Sequence, residues 1–148
     1  MASRRTIALT AFALVAIVAV VVVGRGGVPW RRTAPPARGD ASRGAKLYET
    51  LPCVSCHDIS RPWPGGDICP NLGNIATEAA RIVRQSDYRG RATDAAGYIR
   101  ESIVDPNAYV LAGPTFSAEG RSLMPSEYGQ SLKPEQVDQI VAYLLTLK

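Results

Sequence analysis

One histidine, three cysteines and two methionines are all that 148 residues supply. A single His57 excludes any centre that needs two imidazoles from this chain. Two of the cysteines fall within one pentapeptide and Cys69 is odd, so the chain has no disulfide framework. Residues 1–39 hold no acid and no lysine, only six arginines. Residues 40–148 hold 11 Lys and Arg against all 13 Asp and Glu. The net charge of +4 is thus +6 from the leader and −2 from the remainder. A folded part that is mildly acidic gives no basis for nucleic-acid binding. Five arginines between Arg81 and Arg100 are interrupted by Asp87 and Asp94 and read as a solvated face. Runs that alternate apolar and polar residues are also missing, which argues against a sheet.

What the leader does have is an apolar run. Ile7 to Val23 is 17 residues with Thr10 as its one polar member. As a helix it spans about 25 Å, near the thickness of the hydrocarbon layer. Its 11 Ile, Leu, Val and Phe residues sum to about −4 kcal/mol on the insertion scale. The run is long for a secretory signal, and Gly24-Arg25-Gly26-Gly27-Val28 offers no small-residue cleavage site. Residues 1–24 therefore read as an uncleaved single-span anchor. Residues 25–39, rich in Gly, Pro and Arg, read as a linker, with Trp30 suited to the membrane interface. Arg4 and Arg5 precede the span while Arg25, Arg31, Arg32 and Arg38 follow it, so charge counting alone would leave the following domain in the cytoplasm.

Residues 40–148 read as all-α. Asp40 to Thr50 has helical spacing, with Ala41, Ala45 and Tyr48 near Gly44 on one face. A short helix is expected over Ile75 to Arg84. Thr93 as N-cap opens a helix to Val104, along which Ala95, Ile99 and Ile103 recur every four residues. Pro134 to Leu147 is the clearest helix, with Glu135 in its first turn and Val137, Ile140, Val141, Leu144 and Leu145 as its apolar stripe. So few helices joined by long loops make a thin core, and a buried cofactor would supply the missing packing surface.

Cys53-Val54-Ser55-Cys56-His57 is the c-type haem attachment pattern. Two thiols three residues apart reach both vinyl-derived carbons on one edge of the macrocycle, and the following His57 lies under the iron as proximal ligand. Three other readings compete. A thioredoxin-like pair wants a βαβ setting that is absent. A Cys3His zinc site of Cys53, Cys56, His57 and Cys69 has the right ligand count, but adjacent Cys56 and His57 suit one tetrahedral ion poorly. The third is a chance match. For the distal iron position, Met1 precedes the anchor, which leaves Met124 in Ser122-Leu123-Met124-Pro125. A His/Met pair raises the reduction potential and fills both axial positions, favouring electron transfer over a peroxidase-like activity.

Across residues 40–148 the chain resembles the class I, monohaem, His/Met cytochromes c. The resemblance rests on Gly44 with Tyr48, Cys-x-x-Cys-His, Pro70-Asn71-Leu72, Met124-Pro125 and Ala142-Tyr143-Leu144. It implies about four helices around one covalent haem c, with Gly44 and Tyr48 packed across the last helix at Ile140 and Tyr143. It implies that the Pro70 carbonyl accepts the His57 imidazole proton and that Leu72 packs on the haem face. Cys69 stands where the family usually has Gly, and reads as a small buried thiol. Trp63 reads either as an exposed docking contact or as packing at the haem rim. Tyr109 and Arg121 are weaker candidates for partners of the haem propionates. Because thioether formation in such proteins is completed outside the cytoplasm, the resemblance implies that the haem domain faces outward, against the charge count.

The expected role is that of a membrane-anchored electron carrier on the outer face of a bacterial cytoplasmic membrane, in a respiratory or photosynthetic chain. Its partners would be redox proteins, with no small-molecule substrate. The stretch Ser102 to Val110 resembles haem c domains of membrane complexes such as alternative complex III or haem-copper oxidase assemblies, so a complex subunit is expected; a free tethered shuttle is the alternative. The mildly acidic domain would suit a basic or neutral partner patch.

Overall fold

In the computed structural model, residues 39–112 and 115–148 are described. The chain divides into units Met1–Pro35 and Pro36–Lys148. The expected anchor and nearly all of the expected linker lie outside the described residues. Among the described residues no helix is long and apolar enough to cross a membrane.

The order of elements is α1 (Ala41–Thr50), α2 (Cys53–Cys56), α3 (Ile75–Ile82), α4 (Ala95–Val104), β1 (Ser117–Ala118), β2 (Arg121–Ser122), α5 (Tyr128–Ser131) and α6 (Pro134–Leu144). Asp40 caps α1, accepting from the Ser42 and Arg43 amides. The cap of α4 is Asp94, which accepts from the Gly97 amide at 2.7 Å; the expected cap, Thr93, is one residue early. Both residue types have the oxygen a cap needs, and Asp94 is the one with extended backbone at that position. The expected extensions of α3 to Arg84 and of α6 to Leu147 become turns, with Arg84 bonding back to Arg81 and Leu147 to Leu144. Helix ends commonly tighten in this way.

The class is mainly helical, with one correction. Ser117–Ala118 and Arg121–Ser122 form a small antiparallel ladder, pairing Ser117 with Ser122 and Ala118 with Arg121. Glu119 (φ 52°) and Gly120 (φ 75°) turn the corner between them. Two left-handed residues in a two-residue loop are the hairpin geometry that matches strand twist. Two residues per strand are too few for a period of two to register in sequence.

The core joins Tyr48 of α1, Leu72, three residues of α3 (Ile75, Ala79, Ile82), Tyr98, Ile99 and Ile103 of α4, and Val137, Ile140, Val141 and Leu144 of α6. Helix α1 crosses α6 so closely that a β-carbon at Gly44 would collide with the Gln139 carbonyl and the Tyr143 side chain. Only glycine fits there. Tyr48 stacks on Tyr143 with ring centroids 5.6 Å apart. The expected first-to-last helix contact is thus present. Arg100 of α4 and Asp138 of α6 form an ion pair that ties a third helix to this crossing.

Candidate haem site

Helix α2 is one turn long and ends at His57, whose amide bonds the Cys53 carbonyl at 2.9 Å. The Tyr48 hydroxyl donates to the His57 carbonyl at 2.9 Å. The core helix α1 therefore holds the backbone of the motif directly. Cys53 is partly buried and Cys56 is exposed. Burial pushes the Cys53 thiol above its ordinary range.

The loop after the motif folds back beneath His57. Leu72 donates its amide to the Asp58 carbonyl at 2.8 Å, Gly73 to Arg61 at 2.9 Å and Asn71 to Gly65 at 2.6 Å. The Asn74 side chain accepts from the Trp63 amide at 2.7 Å. This lacing brings the Pro70 carbonyl to 2.7 Å from His57 Nδ1. A carbonyl can only accept, so Nδ1 carries the proton and Nε2 keeps its lone pair. Burial lowers the pKa of His57, with the Pro70 bond opposing it, so the ring favours its neutral form. A neutral, oriented imidazole with a free nitrogen is what a metal ligand requires.

His57 lines an open cavity. Its walls include Cys53, Pro70, Leu72, Tyr98, Ile99, Ile140, Leu144 and Met124. The lining is overwhelmingly apolar, as in small-molecule and cofactor pockets. Met124 reaches this cavity from the hairpin: its amide bonds Ser122 Oγ at 3.1 Å, and the Ser122 amide bonds Asn107 Oδ1 at 3.0 Å. Of the sequence-derived site residues, Cys53, His57, Pro70, Leu72 and Met124 share this one cavity. Cys56 is not among its lining residues. An apolar slot with a thiol, an oriented imidazole and a thioether in its wall fits the prosthetic group that the motif implies.

Other sequence-derived residues fall into place around it. Cys69 is 8% exposed, a buried thiol as expected, and lines the cavity. Burial raises its pKa, and the Cys56 side chain beside it acts in the same direction. Trp63 is partly buried against the core and lines the cavity, which favours the rim reading over an exposed docking contact. Tyr109 also lines it, whereas Arg121 is exposed on the hairpin and does not.

Sequence reasoning missed a polar cluster behind the cavity. Glu101, 9% exposed, accepts from the Tyr88 hydroxyl at 2.7 Å and from the Arg91 amide at 3.0 Å. The Arg91 guanidinium adds an ion pair at 3.2 Å. Tyr88 stacks on Tyr109 at 4.9 Å, and Tyr98 meets Tyr109 at 6.4 Å. A buried carboxylate must be paired, and its partners lie 10 and 13 residues away, beyond local pattern. This cluster fixes the Tyr98 and Tyr109 walls of the cavity.

No curated protein and no solved structure matches the chain. The family model of cytochrome c matches residues 41–148, the whole helical unit from α1 to the last residue. The cofactor of that family is covalent haem c, and its role is electron transfer. A family model that covers the attachment motif, the cavity and the closing helix leaves no room for the zinc reading: the chain belongs to the cytochrome c family.

Proposed function

We propose that this cytochrome c is a class I, monohaem electron carrier whose iron is held by His57 and Met124 and whose thioethers form at Cys53 and Cys56. The observation that carries this reading is the 2.7 Å contact from His57 Nδ1 to the Pro70 carbonyl. It leaves Nε2 as the one free donor nitrogen of the chain's one histidine, in a cavity that Met124 also lines. When bound, haem supplies an iron that gains and loses one electron. The chain's residues do the rest. Pro70 holds the imidazole in its metal-binding tautomer. Met124 would be the second protein ligand to the iron, and a thioether in that role favours a higher potential. Leu72, Ile99, Ile140 and Leu144 exclude water, which keeps reorganisation around the centre small. With His57 and Met124 both holding the iron, no position on it would be left open for a substrate.

The apolar run Ile7–Val23 and the Gly/Pro/Arg linker support a single-span anchor in the bacterial cytoplasmic membrane, with the haem domain on its outer face. The stretch Ser102–Val110 supports membership of a membrane electron-transfer complex. Extraction in mild detergent tests this: co-purification with other redox subunits is expected. Isolation of the chain alone from the membrane fraction would leave a tethered shuttle, and recovery in the soluble fraction would remove the anchor from the account.

A further inference from the structure

Simple electron transfer gives the tyrosines behind the cavity no task. Tyr98 and Tyr109 line it, and Tyr88 stands behind them without lining it. The Tyr88 ring centroid lies 4.9 Å from that of Tyr109 and 6.1 Å from that of Tyr98. Aromatic rings at such distances are in contact. The Tyr88 hydroxyl donates to Glu101 Oε2 at 2.7 Å and accepts from the Ala92 amide at 3.2 Å. Among the described residues it is the one tyrosine hydroxyl bonded to a carboxylate; Tyr48 is bonded to a backbone carbonyl and Tyr98 to the Ser102 hydroxyl. The loop between α3 and α4 closes over the pair so tightly that a β-carbon at Gly90 would collide with both the Tyr88 hydroxyl and the Glu101 carboxylate. Burial, with the Glu101 bond adding to it, pushes the Tyr88 phenol up to about 12, so it keeps its proton at rest.

A phenol that loses an electron becomes a strong acid. Its electron leaves readily only where a base takes the proton at the same moment, within about 2.6–3.2 Å. Glu101 meets that condition for Tyr88. We propose that Tyr88 is a redox-active residue that gives one electron, by way of Tyr109, to a haem centre oxidised by a hydroperoxide, and passes its proton to Glu101. This activity rests on the haem reading and begins when Met124 releases the iron of the reduced carrier. The hydroperoxide O–O bond breaks and takes up two electrons. One comes from the iron, which goes from ferrous to ferric, and one from Tyr88, whose O–H bond breaks to leave a neutral phenoxyl radical and protonated Glu101. Two protons from solvent complete the products, an alcohol (water in the case of hydrogen peroxide) and a water. The positive charge left behind rests on Arg91, whose side chain is 75% exposed and keeps Asp105 as a partner at 3.1 Å. The next electron delivered to the haem returns to Tyr88 with the Glu101 proton. The oxidising equivalent is thus held away from the macrocycle.

The reduced full-length holoprotein is mixed with hydrogen peroxide, frozen at intervals and examined by electron paramagnetic resonance, beside Tyr88→Phe, Glu101→Gln and Tyr128→Phe. Covalent haem is confirmed in each from the spectrum of the denatured protein in alkaline pyridine. The wild type should give a tyrosyl radical, and a spin trap should leave its adduct on Tyr88 in mass spectra. Tyr88→Phe should lose the signal. In Glu101→Gln, which keeps the shape and removes the base, the radical should form about 100-fold more slowly. Both variants should lose haem colour to peroxide faster than the wild type. Tyr128→Phe, outside the ring cluster, should match it. A signal retained in Tyr88→Phe, an unchanged rate in Glu101→Gln, or a wild-type adduct on Tyr98 or Tyr109 in place of Tyr88 overturns the assignment. The adduct is read in the wild type, so a variant that fails to fold does not shield the proposal. Covalent haem with no tyrosyl radical in the wild type overturns this inference alone. Absence of covalent haem overturns the haem reading and this inference with it.

Discussion

The wall of the cavity that carries His57 and the wall that carries Met124 are held in different ways. Around His57, residues 57–75 are laced by backbone amides to Asp58, Arg61 and Gly65 and by the Asn74 side chain, and α1 adds the Tyr48 hydroxyl. These bonds run from 2.6 to 2.9 Å. Around Met124, among the described residues, a ladder of two residue pairs is joined by the Leu123 amide to the Phe116 carbonyl at 3.2 Å and by two side-chain bonds of 3.0 and 3.1 Å. Its turn contains Glu119 in a left-handed conformation that non-glycine residues occupy at a cost. Leu123 beside Met124 is 43% exposed. The difference is one of local stability. From this difference the His57 wall is expected to unfold with the core and the Met124 wall to open before it. If His57 and Met124 hold the iron as proposed, the thioether is expected to be the ligand that yields first.

Replacement of both Cys53 and Cys56 by Ser has the largest expected effect, because it would remove the proposed thioethers that fasten haem to the His57 wall. Haem should then extract into acidified organic solvent instead of staying with the polypeptide. Retention of colour on the denatured double variant would show that the thioethers lie elsewhere.

A matched pair of substitutions sharpens the contrast between walls. Asn74→Ala leaves the part-buried Trp63 amide without its acceptor and should lower global stability by about 1–3 kcal/mol. Asn107→Ala removes an exposed bond to Ser122 and should cost about 1 kcal/mol or less. Urea titrations read two signals, helix content and the red-edge absorbance of thioether-ligated iron. Asn74→Ala should move both transitions, and Asn107→Ala the second alone. Equal movement of both signals in both variants would remove the distinction between the walls.

A smaller gain is expected from Glu119→Asn, which places Asn-Gly in the hairpin turn, the pair best suited to two left-handed residues. Thioether ligation should persist to slightly higher urea, by about 1 kcal/mol. A loss of ligation at lower urea would mean that the turn is not a source of strain.

Much of the His57 wall was legible because its determinants are local. Two thiols and an imidazole within five residues set the attachment chemistry, and the family resemblance placed Pro70 beneath the ring. Helix α6 was legible from its apolar period, and Gly44 from the crossing the resemblance implied. The Met124 wall was harder to read. Met124 itself emerged by elimination, but the hairpin that carries it is too short for a strand period, and α5 is a single turn. Glu101 was invisible as a buried carboxylate because Tyr88 and Arg91, which make its burial tolerable, come from a preceding loop.

The central claim, a His57/Met124 iron in a cavity built from two unequal walls, is tested most directly by the oxidised spectrum of Met124→Ala beside the wild type. The account predicts that covalent haem is retained, that the weak red-edge absorbance of the wild type disappears, and that the midpoint potential falls. A variant whose red-edge absorbance and potential match the wild type would contradict it.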